Sequence, residues 1–200
     1  RRPTDDMLSG LAAPGPDGRK QLSDFDLLST AVLLLVAGHE TTVNLITNAM
    51  LTLLRHPEQL ERLRADPERA PRLIEEVLRY EPPVHFRTRK ALGAITVAGE
   101  TIPKDAPDIL LFAAANRDPA RFDAPDRFDP DRSDIEHFGF GGGLQYCVGA
   151  PLARIEAEIA LGALSRRLIA PRLPQDPPPY RPGASLRGPE QLPIGIDGIA

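Results

Sequence analysis

Residues Phe138 to Gly149, FGFGGGLQYCVG, put the only cysteine of a 200-residue chain at the end of a glycine-rich loop, directly ahead of a stretch that reads as a helix. A thiol near a helix N-terminus feels the positive end of the helix dipole and can accept backbone N–H bonds, and both favour thiolate over thiol. The upstream glycines let the backbone approach something bulky or adopt positive φ. This combination suits a sulfur that ligates a large flat cofactor; the plainer alternative is a cysteine packed as a small hydrophobe. A second cluster, Ala37-Gly38-His39-Glu40-Thr41-Thr42, sets an acid beside an alcohol within an apolar helical pattern. Gly38 weakens a helix and a threonine hydroxyl can bond the carbonyl one turn earlier, so local opening is expected there; a solvated helix face is the alternative. Glu76 and Arg79 stand at i,i+3 spacing on one helix face, where an exposed pair would contribute only about 0.3–0.5 kcal/mol. Histidines 39, 56, 85 and 137 show no metal-ligand spacing, so no zinc site is expected.

The elements that must position these residues follow from periodicity. Apolar residues from Leu27 through Leu54 recur at helical spacing after a capping Ser23 or Asp24, and His56-Pro57 ends the run, which predicts a long central helix over 22–56. Two short helices over 57–81 carry Glu76 and Arg79, and a small β region spans 84–112. A proline-spaced meander over 113–137 has too little apolar content for an element of its own. The cysteine loop, 138–149, precedes a last long helix over 150–168 with Pro151 in its first turn and Leu152, Ile155, Ile159 and Ala163 along one face. A proline-rich tail, 169–200, reads as loops with short strands. The fold class is mainly α with small β-sheets.

FGGGLQYCVGAPLAR resembles the haem-binding signature of the cytochrome P450 family, Phe-Gly-x-Gly-x-[His/Arg]-x-Cys-x-Gly, with Phe140, Gly141, Gly143, Cys147, Gly149, Leu152, Ala153 and Arg154 at matching positions. The resemblance implies haem b held through Cys147 as the thiolate ligand of its iron, a ligand type that favours O–O cleavage. Gln145 departs from the pattern, standing where a charged residue usually binds a haem propionate; a neutral donor makes the weaker bond. AGHETT resembles the family's oxygen-binding segment, which makes Ala37 and Gly38 neighbours of the cofactor and Glu40 and Thr41 an acid–alcohol pair that directs protons toward O2. Glu76 and Arg79 match its Glu-x-x-Arg motif, with Arg127 of PDRF as the third member of a buried triad. PPVHFRTRKAL resembles the strand whose arginine meets a propionate; Arg89 fits that place best and Arg87 competes. Val36, Val84, His85 and Phe86 become substrate-contact candidates, with ordinary core packing as the alternative for each.

These matches run from about residue 22 to 193 and correspond to the haem-bearing C-terminal portion of the family fold, so the chain is expected to be part of a longer protein. The expected activity is a monooxygenase that inserts one oxygen atom from O2 into a small organic substrate, with electrons from a separate ferredoxin or flavoprotein reductase. A haem-thiolate peroxygenase or rearrangement enzyme, and a haem-free interaction module derived from the family, are the rivals. A formal charge of −4 with both signs interspersed excludes the basic stripe of a nucleic-acid binder. A single cysteine cannot form an internal disulfide, which points to the cytoplasm. The longest apolar run, Ala31 to Ala37, is far shorter than the roughly 20 residues that span a bilayer, so no membrane insertion is expected.

Overall fold

The computed structural model describes residues 4–200, and these form two compact units, 4–40 and 41–200. In the first, Asp6 caps α1 (Met7–Ala12) by accepting from the Ser9 N–H at 2.7 Å, and Pro14 bridges Lys20 across the following loop. The long helix α2 (Asp24–Arg55) begins in this unit. Ser23 caps it, its hydroxyl accepting the Asp26 N–H at 3.1 Å. No described residue of 4–40 is buried, and Phe25, Leu28, Leu33, Leu35 and Val36 are exposed. The helix expected to be central is therefore central only in its second half, where Leu45, Ala49 and Leu53 enter the core. It runs unbroken through Gly38–Thr42, so the expected local opening is not seen; further along, Thr47 bonds back to the Val43 carbonyl and Thr52 to that of Asn48. Among the described residues α2 is also the one helix long and apolar enough to cross a membrane, a test that core helices of soluble proteins pass as well.

In the second unit α3 (Pro57–Ala65) and α4 (Ala70–Tyr80) each start on a first-turn proline, as α6 (Ala150–Arg167) does. Leu60 and Leu63, then Leu73, Ile74, Val77 and Leu78, then Ala157 and Leu161, close one core with the second half of α2. The buried side of α6 is the one that carries Ala150, Ala157, Leu161 and Ser165, and the predicted stripe of Leu152, Ile155 and Ile159 is exposed.

The β region comprises β1 (Arg87–Lys90), β2 (Ile95–Val97), β3 (Glu100–Ile102) and β4 (Pro107–Leu110). β1 pairs antiparallel with β4, Arg89 opposite Asp108, and β2 pairs with β3 across Ala98-Gly99, both at positive φ. A one-turn helix not anticipated from the sequence, α5 (Phe112–Ala115), follows. The stretch 116–149 winds as irregular chain apart from a 3-10 turn at Gly143–Gln145. In the tail β5 (Leu168–Ile169) pairs with β6 (Gly198–Ile199).

Candidate functional site

Everything around the cysteine loop is organised by α4. Glu76 and Arg79 on its inner face are both fully buried and joined bidentately, Arg79 Nε donating to Oε2 at 2.8 Å and Nη2 to Oε1 at 2.7 Å. The remaining Arg79 donors go to the carbonyls of Asn116, Pro125 and Arg127, so all five guanidinium N–H groups are used. Glu76 Oε1 also accepts the Asp129 N–H at 2.9 Å. The pair thus pins the meander from inside. The arginine that completes the triad is Arg132, buried, with Nε 3.6 Å from Glu76 Oε2. Arg127, assigned that place from the sequence, instead pairs with Asp129 at 2.5 Å with its side chain 68% exposed, and reaches the cluster only through its carbonyl. The chain around the buried Phe128 turns Arg127 outward and Arg132 inward.

From the meander the chain enters the loop under tight restraint. Asn116, fully buried, donates to the Leu78 carbonyl and accepts the Phe138 N–H at 2.8 Å. Gly139 passes so close to α4 that a Cβ would stand 2.7 Å from the Leu78 carbonyl oxygen, which no larger residue tolerates without movement. Phe140 packs on the core, Gly141 and Gly143 turn the chain at φ of 74° and 61°, and the Cys147 N–H returns to the Phe140 carbonyl at 3.0 Å. Cys147 emerges exposed, three residues before α6, with Leu144 and Val148 almost fully exposed beside it. Gly149 holds its place under the sulfur, its Cβ position lying 3.8 Å from Sγ.

Beside the loop lies a cavity of about 300 Å³ lined by Arg89, Leu110, Phe112, Phe138, Gly142, Gly143, Leu144 and Gln145. Arg89 and Gln145 therefore meet at one site. Arg87, the competing arginine, is turned away, with Nη1 on the Ser185 hydroxyl at 3.0 Å. His85 lines a separate cavity of about 550 Å³ with Arg117 and Arg187, where burial and then those two cations hold its pKa below the ordinary imidazole value. Val84 bridges Leu186, and the Phe86 carbonyl accepts from the Ser185 hydroxyl. Glu40 and Thr41 are half-buried neighbours on α2, and Val36, Ala37 and Gly38 are exposed.

A further set of residues was missed. Glu75, beside Glu76 in the sequence, accepts from Arg154 Nε at 2.6 Å and Nη2 at 2.9 Å and lies 3.1 Å from His137 Nε2. Partial burial would raise its pKa, but the Arg154 and His137 hydrogen bonds prevail and lower it to about 2. Its partners lie 62 and 79 residues away in the chain, so no local spacing signals it.

The family model for Cytochrome P450 matches residues 3–189. The chain belongs to the cytochrome P450 family. It is 44% identical over 199 residues to the Biotin biosynthesis cytochrome P450 of Bacillus subtilis (strain 168), covering 98% of this chain and 49% of that protein. It is 41% identical to the 6-deoxyerythronolide B hydroxylase of Saccharopolyspora erythraea, again over 98% of this chain and 49% of the relative. Among solved structures, ligand-free CYP164A2 of Mycobacterium smegmatis superposes with a TM-score of 0.91 at 48% identity over 98% of this chain and 50% of that one. P450BioI in complex with an acyl carrier protein gives a TM-score of 0.91 at 43% identity and the same coverage. The chain spans about half the length of the curated relatives it matches.

The P450 chain's residues fit a haem. The donor set offers one free, exposed thiol for iron and, at the adjoining cavity, a guanidinium and an amide for carboxylates. Exposed Leu144, Val148 and Phe138 supply apolar surface of the kind a porphyrin face covers.

Proposed function

We propose that the protein is a haem-thiolate monooxygenase that inserts one oxygen atom from O2 into a small organic substrate, with electrons from a separate ferredoxin or flavoprotein reductase, and that it works in the cytoplasm. The observation that carries this reading is the single free thiol on a glycine-turned loop, beside the cavity where Arg89 and Gln145 converge. In it Cys147 holds the iron of haem b, Arg89 and Gln145 hold the propionates, and Phe140, Gly141 and Gly149 shape the loop beneath. The haem supplies the O2-activating redox chemistry when bound. Glu40 and Thr41, next to Ala37 and Gly38, would supply protons, and Val36, Val84, His85 and Phe86 would contact substrate. Glu76, Arg79 and Arg132 keep the meander closed under the loop.

Retention of an acid–alcohol pair at 40–41 favours O2 over peroxide as oxidant. The test is turnover of the haem-loaded full-length protein with isotope-labelled O2, NAD(P)H and a reductase system, against turnover with unlabelled peroxide. One labelled atom in the product, lost together with coupling in Thr41→Ala, is expected. Product formed only with peroxide, or rearranged without added oxygen, contradicts the proposal.

A further inference from the structure

Consecutive helix residues point about 100° apart, so α4 aims Glu76 at the meander and Glu75 at the two flanks of the cysteine loop. One flank is His137. Gly139 donates its N–H to His137 Nδ1 at 3.0 Å, which leaves the ring proton on Nε2, facing Glu75 Oε2. The other flank is Arg154 in the second turn of α6, whose Nε and Nη2 face the two carboxylate oxygens in a fork that fixes the plane of the guanidinium. That plane does two further things. Its third nitrogen donates to the Tyr146 hydroxyl at 3.3 Å, and its carbon stands 4.7 Å from the centre of the Phe140 ring. Tyr146 precedes Cys147 in the chain, and the Phe140 carbonyl takes the Cys147 N–H.

We propose that Glu75 is a positioning residue for Cys147: by gripping His137 before the loop and Arg154 after it, this one carboxylate sets the direction in which the sulfur is presented. The inference rests on the reading of Cys147 as haem ligand. Ligand geometry must be held within about 0.5 Å to be productive. Without the carboxylate, Arg154 keeps its charge in a half-buried place, its plane is no longer fixed, and the supports on Tyr146 and Phe140 loosen together.

The test uses the haem-loaded full-length protein at matched haem content and matched helical circular dichroism. The quantity read is the ratio of thiolate-type to non-thiolate-type Soret bands after reduction and CO treatment, which a purely structural contribution to stability leaves unmoved. Glu75→Gln keeps the size and loses the charge, and the ratio should fall about tenfold, the scale of one lost charge-assisted hydrogen bond. Glu75→Asp should recover part of it. If Glu75→Gln cannot be obtained folded, Arg154→Lys, which keeps the charge but cannot fork across both oxygens, should lower the ratio several-fold. A wild type with the thiolate-type band and a Glu75→Gln or Arg154→Lys variant that matches it overturns the role of Glu75 alone. A wild type without the band overturns the haem-thiolate reading and this inference with it.

Discussion

Glu76→Ala should be among the most damaging single changes in the chain. The carboxylate is fully buried and takes two hydrogen bonds from Arg79, one from the Asp129 N–H and the field of Arg132 at 3.6 Å. Alanine leaves a fully buried guanidinium with two of its five donors unmet and a second, nearly buried arginine beside it, at a cost of about 3–5 kcal/mol. With a urea slope near 2 kcal/mol per molar, the unfolding midpoint should fall by about 2 M. The same geometry separates the two arginines. Arg132→Ala should cost more than about 2 kcal/mol, because it removes a buried cation from its acid and from the carbonyls of Ala124 and Arg127, whereas Arg127→Ala should stay within about 0.5 kcal/mol. Urea unfolding of the three variants, followed by circular dichroism, reads all of these. A Glu76→Ala midpoint within error of wild type, or an Arg127→Ala loss larger than that of Arg132→Ala, would refute the reasoning.

Glu75 has a folded pKa depressed from 4.5 to about 2, so its contribution is fully present above its unfolded pKa and is lost as pH falls from about 4.5 toward 2. The stability difference between wild type and Glu75→Gln should therefore shrink across that window in acid titrations. Gly139→Ala should cost about 1–3 kcal/mol and raise hydrogen exchange in the loop, since the added methyl meets the Leu78 carbonyl oxygen at 2.7 Å. Gln145→His should slow haem transfer to a scavenger protein, because a cation beside Arg89 at the cavity strengthens the grip on a carboxylate; an unchanged transfer rate would remove Gln145 from the propionate site.

What could be read from the sequence was what local chemistry decides. The Ser23 cap and the His56-Pro57 stop bounded α2, and Pro151 marked the first turn of α6. The cysteine loop was legible because glycine, thiol and helix start are consecutive. Misreadings arose where the deciding contact is distant in sequence. The tripeptide Pro-Asp-Arg occurs at 125–127 and again at 130–132, and only the turn around buried Phe128 decides which arginine faces Glu76. Glu75 carried no signal separate from its neighbour, since its partners lie 62 and 79 residues away. The apolar stripe of α6 indicated an amphipathic helix, yet the side that packs on α3 and α4 is chosen by Ala157 and Leu161.

The most direct test of the account is the absorption of haem-loaded full-length protein, wild type and Cys147→Ser, after reduction and exposure to CO. The wild type should show the red-shifted Soret band of thiolate ligation, and the serine variant should lose it while remaining folded. Indistinguishable spectra from the two would contradict the assignment of Cys147 as the iron ligand.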